Sequence, residues 1–396
     1  MPFTEKDGIR PDIIINPCCF TGDTLISTPN GMSQRIDSFN EKGGEKVITY
    51  DEGFNMSSSM GMEAKGIKDT IKLTLMDGRI IKCTPDHKIL VYSGDSYEWK
   101  EAGSLITIGD NADQIVTGVE YPQDINYGDE LNWTLNVGNM IFDMKTSINR
   151  HKTLAFARLL GFLHADGSIT KDKRSDNQYT MRLFIGHMLD VNNIIKDIEC
   201  ITGIKCKIFS DQYVYFVNMP NFFARNIVAL EGMTIGRRSI QTSSMPTFLM
   251  ADNLPKSFIR EFLGGYFGGD GHSPYLTKNN FSKIRLSQST CEENIESLML
   301  TMTNINKLLK KLDINSDIVR TRKCHQNNKT YKEYPRFSIE IGVESNLAFA
   351  ENIGFRYCTH KSIRLAIAAS YERHCKLVMN QHNDMIKLVR SEEHTS

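Results

Sequence analysis

Two groups of side chains in this 396-residue chain have types and spacings that could do chemistry. The first is Cys19, opening the run CFTGDTLI, with Thr84 and His87 in a Thr-x-x-His spacing inside DGRIIKCTPDHKIL. Cysteine is the side chain with appreciable thiolate near neutral pH, so a Cys beside a peptide bond can act as an acyl-transfer nucleophile. The departing amide nitrogen then needs a proton donor such as an imidazole. The second group is a pair of carboxylates, Asp166 and Asp270, each ending a helix-like stretch and followed by glycine. Carboxylates suit Mg²⁺, a hard cation that takes oxygen ligands. Singly, each residue has an ordinary reading: a lone Cys is usually a small buried hydrophobe, and Asp-Gly is a common helix stop. Only their joint occurrence carries weight.

The elements that must position these groups are of two kinds. From Cys19 to about Ala112, short β-like runs (46–50, 70–75, 79–83 and 88–92) alternate with turns such as Asp77-Gly78, a strong hairpin signal. Residues 113–153 are polar and irregular and read as a linker. The pattern then changes to helix (154–165), strand (180–185), helix (190–202) and strand (206–217). The same plan repeats about a hundred residues later: a helix from Lys256 to the second Asp-Gly, a strand at 284–287, a helix at 292–312, and strands near Ile318 and Phe337. Residues 363–389 look helical.

Charge divides at the same place. Residues 1–150 carry 14 Lys+Arg against 23 Asp+Glu, a net of 14 − 23 = −9, and residues 151–375 carry 30 against 21, a net of +9. The basic half has the sign expected of a nucleic-acid binder. No apolar run approaches the roughly 18 residues of a membrane span. Nine cysteines without a Cys-x-x-Cys pair argue against a zinc site of ordinary spacing and against a disulfide framework, which points to an intracellular setting.

The runs CFTGDTLI and DGRIIKCTPDHKIL together resemble the first two conserved blocks of inteins and of the wider Hint family. The resemblance implies a mostly β, horseshoe-like splicing segment over 19–112. In it the Cys19 sulfur attacks the carbonyl carbon of Cys18, His87 serves as the acid, and Thr84 binds or distorts the scissile amide. Residues 1–18, MPFTEKDGIRPDIIINPC, are similar to a stretch of the second-largest subunit of DNA-dependent RNA polymerase and read as host flank. A complete intein ends with a further β segment and His-Asn. Here His382-Asn383 lies in a helical pattern, so the resemblance implies a separate C-terminal splicing segment as a partner. Residues 376–389 read as a helical tail, and 390–396, RSEEHTS, as the translation of a sequencing adapter.

The duplicated helices, LLGFLHADG and LGGYFGGDG, resemble the two signatures of LAGLIDADG homing endonucleases, and 353–373 resembles the end of that domain. The resemblance implies an α/β endonuclease with two pseudo-symmetric repeats over 154–375, acting as a monomer. Gly161 and Ala165 would pack against Gly265 and Gly269, bringing Asp166 and Asp270 together as catalytic residues and as ligands of Mg²⁺. Strands would form a saddle on double-stranded DNA, with Lys205, Lys207, Lys283, Arg285, Arg320 and Arg322 as candidate phosphate contacts. The target would be the intein-free polymerase allele. One departure stands out: the lysine often found just before an Ile/Val-Pro is absent from 242–246, TSSMP, where Arg237, Arg238 or Lys256 could substitute. The alternative reading is a degenerate LAGLIDADG protein that binds DNA or RNA without cutting.

Overall fold

In the computed structural model the described residues are 19–28, 32–39, 41–43, 46–50, 54–59, 61–76, 79–92, 96–107, 109, 111–116, 128–172, 178–211, 214–236, 242, 244–278, 280–326 and 333–393. The chain forms two compact units, Met1–Asp124 with Ser370–Ser396, and Ile125–Ala369. The expected host flank and the Asp77-Gly78 turn lie outside the described residues.

The described strands of the first unit are β1 (Leu25–Thr28), β2 (Met32–Arg35), β3 (Lys46–Tyr50), β4 (Phe54–Ser58), β5 (Ile71–Thr74), β6 (Ile80–Cys83), β7 (Lys88–Tyr92), β8 (Tyr97–Glu101) and β9 (Gln114–Ile115). They pair antiparallel as β1-β2, β3-β4, β5-β6 and β8-β7-β9. Alternation places Ile89 and Val91 of β7 inward. Phe20, Ile71, Leu73, Ile81, Leu105 and Ile115 close over Cys83, Ile89 and Ala102. That small core fixes the segment bearing Cys19 against the end of β6, where Phe20 bridges to Cys83.

The second unit opens with a hairpin, β10 (Thr134–Val137) and β11 (Met140–Asp143), inside the stretch read from sequence as linker. Its alternate residues Val137, Met140 and Phe142 are buried, which a structureless linker would not do. Two copies of one plan follow. The first is α1 (Ser147–Asp166), β12 (Gly167–Lys171), β13 (Tyr179–Ile185), α2 (Met188–Thr202), β14 (Ile208–Asp211), β15 (Val214–Asn218) and α3 (Asn221–Val228). The second is α4 (Lys256–Asp270), β16 (Gly271–His272), β17 (Ile284–Ser289), α5 (Ile295–Lys311), β18 (Ser316–Gln326), β19 (Glu333–Ile341) and α6 (Asn346–Asn352). Helix α7 (Thr359–Glu393) comes last, belonging to this unit up to Ala369 and to the first unit from Ser370 onward. The sheets have the same order, β12-β13-β15-β14 and β16-β17-β19-β18. Their registers correspond as well: Gly167 pairs with Leu183 as Gly271 pairs with Leu286.

Helix α1 starts seven residues earlier than the apolar pattern suggested, because Thr146 caps it by accepting from the Asn149 N–H at 3.1 Å. The Glu130 carboxylate does the same work for α4, accepting from Ser257 N at 3.2 Å and Ser257 Oγ at 2.5 Å. Helices α1 and α4 pack backbone to backbone. A Cβ on Gly161 would fall well inside 3.0 Å of the Phe262 carbonyl oxygen, and one on Gly265 would do the same to the Arg158 carbonyl. Gly264 and Gly268 face Arg356 instead, where the next segment crosses.

This contact gives a stability expectation. Gly161→Val or Gly265→Val forces two backbones apart and should cost about 3 kcal/mol or more, at the upper end for overpacking. Gly186→Ala meets nothing within 4 Å and should stay within about 0.5 kcal/mol. Urea denaturation of the three variants measures both, and equal midpoints would refute the close-packing account.

Candidate functional site

Asp166 and Asp270 end α1 and α4, and both are half-buried. The Asp166 Oδ2 atom lies 2.9 Å from where a Cβ on Gly269 would stand, so a glycine there leaves room for that carboxylate beside Asp270's neighbour. The glycines after the acids have extended φ of −102° and −73°, so crowding rather than a left-handed turn selects them. A Cβ on either would strike the carbonyl of Leu163 or Phe267.

Lys361 joins the acids. Its Nζ donates to the Gly268 carbonyl at 2.7 Å and the Gly269 carbonyl at 2.5 Å, in the last turn of α4. Burial pushes this ammonium below its usual value, while Cys358, Asp166 and Asp270 pull it back up. On the Asp270 side, Gln288 Nε2 lies 3.5 Å from Oδ2 and also contacts the Tyr266 hydroxyl. The residue in equivalent register of the first repeat is Ile185, which is buried. The two halves of the site are therefore chemically unequal. A cavity of about 240 Å³ opens here, lined by His164, Ser168, Tyr266, Asp270, Gln288 and Thr301 among others.

These donors fit Mg²⁺, which keeps several waters and takes one or two carboxylates plus substrate phosphates rather than a dedicated protein cage. Among the described residues no cluster of three or more His, Cys, Asp or Glu forms a cage.

The remaining predicted contacts are distributed as follows. Lys205 and Lys207 are exposed and stand just ahead of β14, not within it. Lys283 and Arg285 do point together, but both meet Glu340, at 3.2 and 3.0 Å. Arg320 pairs in register with Phe337, while Asp317 and Glu340 share a row with Arg285. Alternation then puts Arg320 on the face opposite Arg285, over the Phe337 ring at 5.8 Å. The Arg322 side chain, Arg237 and Arg238 lie outside the described residues. Arg182 was missed, although it holds the position in β13 that Arg285 holds in β17, and the alternation of YTMRLFI exposes it. Lys361 and Gln288 were missed too, and no local pattern marks either of them.

A second constellation occupies the first unit. The Cys19 N–H donates to Thr84 Oγ1 at 2.9 Å, and the Thr84 N–H donates to the Cys19 carbonyl at 2.9 Å. Thr84 thus grips both backbone polar groups of Cys19. His87 is buried, its N–H donating to the Thr84 carbonyl at 3.0 Å and its ring 3.9 Å from that of Phe20. Asp23, from the CFTGDTLI run, accepts from Lys82 at 2.7 Å, and that partner together with Thr21 holds its carboxyl at about 2.

Residues 257–354 match the LAGLIDADG-like domain. The match begins in α4, contains Asp270 and runs just past α6, so it covers the second repeat. The LAGLIDADG-like α/β plan of that repeat recurs in the first by order and register. Among curated proteins, the chain is 24% identical over 403 residues to a tRNA-splicing ligase RtcB of Pyrococcus abyssi, covering 93% of this chain and 41% of that protein. It is 26% identical over 205 residues to the replication factor C small subunit of Methanocaldococcus jannaschii, covering 45% of this chain and 10% of that protein. The chain therefore spans less than half the length of either relative. Among solved structures, variants of the homing endonuclease I-DmoI align at 12% identity and a TM-score of 0.33, over 51% of this chain and 91% of theirs. No described helix is long and apolar enough to cross a membrane.

Proposed function

We propose that the second unit is a Mg²⁺-dependent, site-specific double-strand DNA endonuclease, and that the first carries the N-terminal acyl-transfer centre of an intein. The observation that carries the nuclease reading is the pair Asp166 and Asp270 at the touching ends of two glycine-packed helices, each feeding an identically ordered sheet. Such a pseudo-twofold frame offers one acid to each strand of a duplex. Mg²⁺ bound there supplies charge neutralisation at the scissile phosphate and a more acidic attacking water. Asp166 and Asp270 would hold the cation, the half-buried Lys361 amine feels the charge of both carboxylates, and Gln288 stands beside the Asp270 carboxylate to orient it. Water adds to phosphorus, losing a proton to solvent, as the P–O bond to the leaving strand breaks and the departing oxygen takes a proton from solvent.

The relatives support a portable element. A ligase and a replication factor have unrelated names, yet each resembles this chain over only part of its own length. A shared insertion accounts for that better than either activity. The test is incubation of the full chain and Mg²⁺ with a duplex of uninterrupted polymerase sequence across the junction after residue 18. Cleavage of this duplex and not of a scrambled one supports the reading. Tight specific binding without cleavage favours the degenerate alternative, which the absence of a lysine from 242–246 makes worth testing.

The acyl-transfer reading rests on Thr84 holding the Cys19 amide nitrogen, the nitrogen that leaves when the Cys19 sulfur attacks the preceding carbonyl carbon. Added thiol should release the first 18 residues, detected by mass spectrometry. Cys19→Ala should abolish release, and His87→Ala should slow it by roughly 10²–10⁴-fold, the range for a lost general acid. Release that persists in Cys19→Ala would exclude this centre. The host polymerase and a complementing C-terminal splicing segment belong to the same proposal.

A further inference from the structure

The two sheets share a register but not a surface. In the first, Phe184, Phe216 and Phe209 lie side by side in one row across β13, β15 and β14. Directly opposed residues share a face, and this face is the outer one, since Met181, Leu183 and Ile185 of β13 are buried on the other. Phe184 is 38% exposed and Phe209 41%. In the second sheet the same row reads Ser287, Ser338 and Val319, with the two serine hydroxyls 2.7 Å apart. One half of a pseudo-symmetric surface carries three aromatic rings, and the other two serines, of which Ser338 is buried, and an exposed valine.

The rings are arranged for edge contact. Phe209 and Phe216 stack on each other at 5.2 Å and 14°, Phe184 lies 6.3 Å from Phe216, and Arg182 covers Phe216 at 5.4 Å. With Phe216 flanked on several sides, inserting an unpaired base beside it would require opening the cluster. Edges and exposed rims remain for a ligand. The surroundings are basic: Arg182 sits in the adjoining row, held by Asn218 Oδ1 at 3.1 Å, and exposed Lys205 and Lys207 lead into β14, with Asp211 at its far end. Three strands at about 4.8 Å spacing make a row about 10 Å wide, which enters a major groove about 12 Å wide.

We propose that this face reads a thymine-rich half-site in the major groove, the Phe184–Phe216–Phe209 row packing against C5-methyl groups while the basic residues hold phosphates. This rests on the DNA reading of the second unit and assigns the target an asymmetry: a run of methyl groups on the side of the first repeat, with no matching aromatic row on the other. Apolar contact is how side chains distinguish thymine in the major groove, because no other base carries that methyl.

The experiment uses the full chain, Ca²⁺ and a pool of fully randomised duplexes, with recovery and sequencing of bound DNA. The wild type should enrich duplexes with a thymine run at one end only. Phe184→Ser/Phe209→Val/Phe216→Ser, which installs the residues of the second repeat, should lose that run and keep the remaining preferences. In the enriched duplex, uracil for thymine deletes only the methyl and should weaken wild-type binding by about fourfold per contact, the factor equivalent to about 0.8 kcal/mol per buried carbon. The triple variant should be indifferent to uracil. The uracil series needs no mutant to fold. Enrichment without a thymine preference, uracil binding as well as thymine, or stronger binding of single strands would each overturn this proposal alone. No enrichment of any duplex would overturn the DNA reading and this proposal together.

Discussion

Asp166→Asn and Asp270→Asn should each lower double-strand cleavage by roughly 10²–10³-fold, the loss expected when a preorganised charge is removed from a reacting phosphate. Asparagine keeps the shape that fits beside Gly269 but lacks the charge that holds Mg²⁺. If each acid serves one strand, the surviving acid still nicks its own. Supercoiled plasmid bearing the site should then accumulate as nicked circle, and strand-specific labels should place the two variants' nicks on opposite strands. The halves are unequal, Gln288 standing beside Asp270 where Ile185 stands in the other repeat. Asp166→Asn, which leaves the Asp270–Gln288 side intact, should therefore nick faster than Asp270→Asn. Duplex binding in Ca²⁺ should survive in both and weaken as salt rises, because phosphate contacts release counterions. Linear product at the wild-type rate from either variant would remove these residues from the chemistry.

Glu261→Gln should destabilise the second unit by about 3–5 kcal/mol, the cost of breaking a buried ion pair from one side. The Glu261 side chain is fully buried and accepts from Arg356 at 2.7 and 3.0 Å and from Arg158 at 3.1 Å. Arg158 also forks onto Asp197 at 2.5 and 2.7 Å, and Tyr357 donates to the same carboxylate. The network ties α1, α2 and α4 to the segment crossing behind them, so neutralising Glu261 leaves two guanidinium groups short of a partner in low dielectric. Burial alone would raise the Glu261 carboxyl, but Arg356 and Arg158 outweigh it and hold the group below its ordinary 4.5. A depressed folded value contributes stability that is full above 4.5 and is lost as pH falls through the folded value. Wild type should thus lose stability more steeply than Glu261→Gln as pH drops below that range. Urea midpoints across pH, at constant m, measure both effects. Identical midpoints at neutral pH would show that the network contributes nothing net.

Much of the architecture was legible in the chain because its causes are local. The alternation of YTMRLFI puts Met181, Leu183 and Ile185 on one face of β13 whatever lies beyond it. The two Asp-Gly stops end α1 and α4 at the expected residues, and the small residues Gly161 and Gly265 mark the contact between them. Such signals act within one turn or one pleat. The linker reading of 113–153 failed because the β10-β11 hairpin is short and its burial depends on α1, most of which lies beyond that window.

The remainder was decided by contacts between distant segments. Arg320 faces away from Arg285 because β19 sets the register of β18, and no window around Arg320 holds that information. Lys361 reaches the carbonyls of Gly268 and Gly269 from more than ninety positions downstream. Glu261 meets Arg158 across 103 positions and Arg356 across 95. Residue type and periodicity determined which elements form, where they stop and which face each one buries. Tertiary closure decided which charges are neutralised, which side chains join the acids, and that three phenylalanines line up in one row where the twin sheet aligns two serines and a valine. The reason is physical: backbone sterics and side-chain periodicity act over a few residues, whereas an ion pair or a strand register takes its energy from the partner that chain closure delivers.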